Sequence, residues 1–266
     1  MKRPPLTILS HAATIPQRER EWNAHIPSSV SRRSPRIWQL AMVAAQRVCA
    51  AVPRQPRSVL AATALGALDE TRLFLDSIFV SGFASPRNFI ASVHNSMAGK
   101  LATDLSIHGT NLTFCEGANS LAAALVAAQL LESDDLPVLI VAVEEHLELL
   151  DTLSPHLAAS CHPWFGSPGW PDGALALVCD RNGRGPSIAA AGPCLVADRC
   201  RHQACASLHT SLDLRTVPLP PLEQTSTSPF APSLAIADAL DRLNEPVRIG
   251  SYTPSSTAVA VVDLMP

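Results

Sequence analysis

Residues Gly109–Leu131 read GTNLTFCEGANSLAAALVAAQLL and hold three structural signals in succession. Gly109 interrupts the pattern before it, and Asn111-Leu112-Thr113-Phe114 then forms a strand. Glu116-Gly117-Ala118-Asn119 is a tight turn, and Ser120–Leu131 is an alanine- and leucine-rich helix with almost no polar face, expected to be buried all round. A turn between a buried strand and a buried helix is a good place for a nucleophile, because the first amides of the helix lower a thiol pKa and stabilise an oxyanion. Cys115 lies close to that position.

Outward from this segment, Pro137–Val143 is a second buried strand. Upstream, Ile37, Leu40, Ala41, Ala44, Val48 and Ala51 recur at helical spacing, which predicts a helix from about Pro35 to Ala51, ended by Pro53. Ser58–Ala64 is a buried strand, Leu65-Gly66 a turn, and Asp69–Phe79 a helix whose early acids suit its dipole. Ser85-Pro86 starts another helix to about Met97, with Gly99–Ile107 continuing it after a kink. Leu6–Thr14 is a short strand before a polar surface excursion. Ala174–Cys179 and Ser187–Ala191 are strands expected to pair as a hairpin across Asp180–Pro186. Cys194–Gln224 has little periodicity, Ser233–Leu243 is a helix and Ala258–Leu264 a closing strand. Such strand–helix units give an α/β fold, a mixed sheet with helices on both faces, expected as one domain over residues 1–266.

Hydrophobic residues make up 47% of the chain and charged residues 16%, so the low charge points to extra buried surface against a partner. A net charge of −3 leaves no electrostatic footprint for nucleic acid. The basic residues between Arg18 and Arg57 are interrupted by acids and are expected on solvated faces. The N-terminus lacks the apolar core and cleavage site of a signal peptide, and Ser120–Leu131 and Leu136–Val143 are too short to span a bilayer, so a cytoplasmic protein is expected. The seven cysteines are odd in number and irregularly spaced, which predicts free thiols. Cys200, His202, Cys205 and His209 are the one cluster of metal-binding types, but their spacing fits no common zinc module. No metal and no cofactor are expected. Gly183-Arg184-Gly185 is a turn rather than a phosphate loop.

Five segments follow in order: Ser58–Glu70 (SVLAATALGALDE), Ser85–Gly99 (SPRNFIASVHNSMAG), Gly109–Leu131, Val138–Glu145 (VLIVAVEE) and Asp172–Cys179 (DGALALVC). This series resembles the N-terminal half of β-ketoacyl synthases, the condensing enzymes with a thiolase-like layered α-β-α fold. The resemblance covers about residues 34–190 and implies a strongly shortened C-terminal part over 191–266. The SVHN form of the second segment, in a chain this short, is similar to the chain-length-factor subunits of aryl polyene and related pathways.

The resemblance puts the family's acyl-accepting cysteine at Ala118. A methyl group cannot form a thioester, so no catalytic residue is assigned. Cys115, three positions earlier, is expected to be a buried inert thiol, and Ser120 a helix-start residue. The family's catalytic histidines lie in the C-terminal half, and after Gly192 no second run of motifs follows. His94, His156 and His162 are read as structural or surface histidines.

What the resemblance implies is a non-catalytic subunit that pairs with a catalytic ketosynthase as a heterodimer. Asn111, Leu112, Thr113 and Phe114 would pair antiparallel with their counterpart across the interface. Phe89 and Asn95 lie on the segment that approaches the partner's acyl tunnel, where the Phe89 ring would limit chain length by volume; an ordinary core aromatic is the other reading of Phe89. An acyl carrier protein would dock chiefly on the catalytic partner. The alternatives are a cysteine-independent acyl-processing enzyme, such as a malonyl decarboxylase or acyltransferase, and a scaffold protein, which a filled Ala118 region would favour.

Overall fold

Runs that are apolar at successive positions need cover on both faces, and the strands of this chain obtain it within one sheet. The computed structural model describes residues 4–30, 34–157, 172–195, 230–244, 247–252 and 258–266. Among these, the strands are β1 (Leu6–Thr14), β2 (Ser58–Ala62), β3 (Asn111–Phe114), β4 (Val138–Glu144), β5 (Gly173–Asp180), β6 (Ser187–Leu195), β7 (Val247–Tyr252) and β8 (Ala258–Met265). They lie in the order β3-β2-β4-β5-β1-β6-β8-β7. Strand β2 runs parallel to β3 and β4, and the other pairings are antiparallel. The helices are α1 (Arg36–Ala50), α2 (Leu68–Phe79), α3 (Pro86–Ser92), α4 (Ser96–Asp104), α5 (Ser120–Leu130), α6 (Glu148–Leu157) and α7 (Ala231–Leu240).

Strand alternation decides which helix covers which face. Val59, Ala61, Leu139, Val141, Val143, Ala176 and Val178 share one core with residues of α1 and α4. Leu60, Ala62, Val138, Ile140, Ala142, Leu175 and Leu177 share the other with α5 and α7. The mixed sheet with helices on both faces is therefore as expected. Helix α1 is buried beyond its predicted stripe, at Met42, Val43 and Ala45 as well, because the outer side is covered by residues such as Trp22 and Leu101; Ala51 lies just past its end and is exposed.

Helix α5 packs against β2, β3 and β4 and also against β6 and β8. Register shifts beside Leu9 in β1 and Ala189 in β6 mark bulges, which sharpen local twist. Enclosure is not complete, as the sequence had implied, because Leu130 at the C-terminal end is 69% exposed.

Two further expectations are corrected. Strands β5 and β6 do not form a hairpin, since β1 lies between them and pairs with both. The loop 181–186 crosses the end of β1 closely: Ile8 N–H donates to the Pro186 carbonyl at 2.7 Å, and a Cβ on Gly183 would overlap the Leu9 side chain. The helix expected from Ser85 to Met97 is broken at Val93–Asn95, where Val93 is extended. The His94 ring there packs on Gly66, whose φ is +63° and whose added Cβ would stand 2.7 Å from the ring. Strand β7 carried too short an apolar alternation before Gly250 to be read alone, and β8 supplies its context. The basic residues Arg18, Arg36 and Arg54 are exposed and Arg47 half-buried, as expected of solvated faces, and each also pairs with a carboxylate, of Asp238, Asp172, Asp180 and Glu19 respectively.

Gly109 N–H donates to the Arg57 carbonyl at 2.8 Å, and a Cβ at this position would overlap that same carbonyl. Gly109→Ala is expected to destabilise the protein by about 2 kcal/mol through overpacking, lowering Tm by roughly 5 °C in a thermal melt. Gly99→Ala, in α4 with open space around it, should not lower Tm. Equal melts for the two variants would contradict the close approach at Gly109.

Candidate functional site: a closed turn beside an open apolar surface

The turn between β3 and α5 is built by hydrogen bonds from Asn119 N–H to the Glu116 carbonyl and from Ser120 N–H to the Gly117 carbonyl, at 3.3 and 3.1 Å. Gly117 has φ +61°, which glycine adopts without strain. Ser120 opens the helix as expected. Its buried hydroxyl accepts from Glu116 N–H at 2.7 Å and lies 2.9 Å from the Thr63 carbonyl, to which it can donate. Ala118, where the resemblance puts the nucleophile, is 3% exposed. It lines a hollow of about 10 Å³ together with Thr63, Glu144 and Ser233, among others. That is room for one water at most.

Cys115 differs from expectation: it is exposed, not buried. Its Sγ lies 3.5 Å from the Ala64 carbonyl. Partial shielding of the sulfur, and then the Glu144 carboxyl, raise its pKa, which disfavours the thiolate. Burial pushes Cys49 up to about 11 and Cys179 to about 12. These three cysteines are free thiols, as predicted.

Two adjacent carboxyls stand at the end of β4, of which Glu144 lines the hollow. Glu144 accepts from the backbone N–H groups of Ala64 and Leu65, and Glu145 accepts from Ile37 N–H in the first turn of α1 at 3.2 Å. Burial pushes both up to about 8; neighbouring carboxylates add to this and the hydrogen bonds oppose it. Unfolded glutamates titrate near 4.5, so between about 4.5 and 8 the folded chain keeps protons that the unfolded chain releases. Their contribution to stability is full below about 4.5 and falls until about 8. The Glu145 Oε1 has no hydrogen-bond partner, so an amide fits its place. Glu145→Gln should melt higher than the native chain at about pH 9 and show a shallower decline on the way there; a variant no more stable at that pH would contradict the assignment.

Among the described residues strand β3 is the last in the sheet and pairs only with β2. Val59 N–H donates to the Thr110 carbonyl and Thr63 N–H to the Phe114 carbonyl. By alternation the backbone groups of Leu112 also face β2, while those of Asn111 and Thr113 face the open edge. Asp135 steadies the strand's start, its Oδ1 accepting from the hydroxyls of Ser58 and Thr110 at 3.2 and 3.0 Å. Asn111 and Leu112 are exposed, Thr113 and Phe114 half-buried. The Asn111 amide donates to the Ala98 carbonyl at 3.3 Å, and the Thr113 Oγ1 is shielded from solvent without a hydrogen-bond partner.

Helices α2 and α3 pack on each other, and α3 packs on α4, which in turn packs on β3. Helix α2 buries none of its residues. Phe79, Val80, Phe83, Phe89 and Ile90 are 80, 82, 67, 53 and 60% exposed, a density of large apolar side chains that marks an interaction surface. Phe89 is therefore not an ordinary core aromatic; its ring centroid lies 5.3 Å from that of Phe74. Asn95 is exposed just before α4. Sequence reasoning missed Phe79, Val80 and Phe83. Their signal was a run of large apolar residues around Ser81-Gly82, where a surface turn would ordinarily be polar.

His156 and His162, with Cys200, His202, Cys205 and His209, contribute no described side chain. Among the described residues no cluster of histidine, cysteine or acidic side chains could hold a metal ion, and no helix is long and apolar enough to cross a membrane.

A mixed sheet between helical layers, with a strand, tight turn and enclosed helix at its centre, defines a condensing-enzyme architecture of thiolase-like type. Residues 9–193 match the family model "Beta-ketoacyl synthase, N-terminal domain", and the chain belongs to that family. The match begins earlier than residue 34 and takes in most of β1. No curated sequence matches the chain. Among solved structures, the ishigamide ketosynthase/chain length factor is 17% identical with a TM-score of 0.70, over 98% of this chain and 99% of that one. The ketosynthase ApeO in complex with its chain length factor ApeC from Xenorhabdus doucetiae is 16% identical with a TM-score of 0.63, over 98% and 99%. The AntDE:AntF complex, a type II acyl carrier protein with its ketosynthase bound to the hexaketide, is 11% identical with a TM-score of 0.67, over 99% of each chain. These likenesses establish the fold.

Proposed function

We propose that this chain is a chain-length-factor subunit: a non-catalytic member of its family that pairs with a cysteine-bearing ketosynthase in polyketide- or fatty-acid-type biosynthesis of the aryl polyene kind. The observation that carries the proposal is the exposed apolar surface of Phe79, Val80, Phe83, Phe89 and Ile90, in a chain whose β3 edge is unpaired among the described residues and which has a buried alanine where the resemblance puts the nucleophile. An obligate partner covers such a surface, since obligate interfaces resemble a core cut in half. Asn111–Phe114 would pair antiparallel with the partner's equivalent strand, and Phe89, with Asn95 nearby, would border the acyl tunnel of the ketosynthase. The similarity to ketosynthase and chain-length-factor complexes, one holding an acyl carrier protein, supports this assignment. The carrier protein would dock chiefly on the catalytic partner.

The cysteine-independent decarboxylase or acyltransferase has less support, because about 10 Å³ beside Ala118 leaves no room for a malonyl group. The same closure favours the scaffold reading, a partner-binding subunit without influence on product. The two part over Phe89. Co-expression with a ketosynthase encoded nearby should give a stable heterodimer that elongates carrier-bound chains when neither subunit does so alone, and monomeric behaviour would contradict the proposal. Within that assay Phe89→Ala should lengthen the products or broaden their distribution; unchanged products would leave a scaffold. Replacing Phe79 and Phe83 together with serine should weaken pairing by about 100-fold or more, as loss of buried aromatic anchors does, measured by analytical ultracentrifugation.

A further inference from the structure

Helix α7 lies beyond the residues matched to the family, yet Ser233 in its first turn reaches the hollow at Ala118. The helix is fixed there in three ways. At its start, Phe230 is 1% exposed and packs against Gly173, where an added Cβ would stand 2.8 Å from the phenylalanine ring. On its outer side, Arg18 donates to both carboxylate oxygens of Asp238, at 2.6 and 3.2 Å. At its end, His11 Nε2 lies 2.9 Å from Asp241 Oδ1. Its inner side, Ile236, Ala237 and Leu240, belongs to the same core as Ala62, Leu121 and Ala142, beside the turn.

We propose that α7 is a fixed plug, which fills the space an acyl chain would need to reach position 118 and is held in place by Phe230 and by the contacts of Arg18 and His11. The site is closed by packing as well as by loss of the sulfur, and restoring the sulfur would not open it. This holds with or without a ketosynthase partner, so its test is separate from that of the proposed function. If the proposed function is also correct, the acyl channel is one-sided: the chain lies within the catalytic subunit and meets this one only at its α2 and α3 surface.

The test is alkylation of Ala118→Cys by iodoacetamide in the folded full-length chain, followed peptide by peptide by mass spectrometry. Cys115 is exposed and serves as the accessible reference, while Cys49 and Cys179 are buried and report global opening. Position 118 should react at least about tenfold more slowly than Cys115, as expected of a group exposed only by local opening. Adding Asp238→Ala and Asp241→Ala, which release the outer contacts of α7, should speed alkylation at position 118 while Cys49 and Cys179 stay protected. Labelling at position 118 as fast as at Cys115 before that release would overturn the plug. So would continued protection after it, or a rise shared equally with Cys49 and Cys179.

Discussion

Helix α5 is apolar around its whole circumference, and enclosing it is the constraint on which the rest of the structure depends. Strands β2, β3 and β4 from one part of the sheet and β6 and β8 from another pack against it, while the stripe Ala123, Val126, Ala127 and Leu130 stays part-buried or exposed. Bulges beside Leu9 and Ala189 mark the two strands, β1 and β6, that join these parts.

The enclosure also fixes the chemistry. Because α5 must dock tightly, the turn that precedes it is held by Ser120 and by the Thr63–Gly66 segment, which Glu144 clasps from β4. The resemblance puts the family's thiol on this turn, at the position of the buried Ala118. Among the described residues β3 keeps a free edge at the end of the sheet, and Phe79, at the end of α2, and Phe89 of α3 stand in solvent. Exposed apolar side chains at this density mark an interaction surface.

Much of this was legible in the residues. Strands β1 and β3 lie at their expected bounds, because their apolar and β-branched runs are sharply punctuated. The β5–β6 hairpin was misread because short turn-rich loops between strands favour hairpins locally, while the seven paired positions that β1 makes with β5 come from far away in sequence. Cys115 was taken as buried because a strand end next to a buried helix usually is, whereas β3 is an edge strand and edge position is a property of the whole sheet. The exposure of Phe79, Val80 and Phe83 has the same origin: amphipathic spacing says that a face is apolar, not that the same chain covers it.

The proposed role requires that the open edge of β3 and the apolar surface of α2 and α3 both be covered by another subunit. Residue-resolved amide hydrogen exchange of this chain, alone and bound to a co-expressed ketosynthase, tests it most directly. In the free chain the amides of Leu112 and Phe114, which face β2, should be protected and those of Asn111 and Thr113 should exchange freely. In the complex Asn111 and Thr113 should become protected together with α2 and α3. Unchanged exchange at Asn111 and Thr113 in a complex that has formed would place the partner elsewhere and contradict the account.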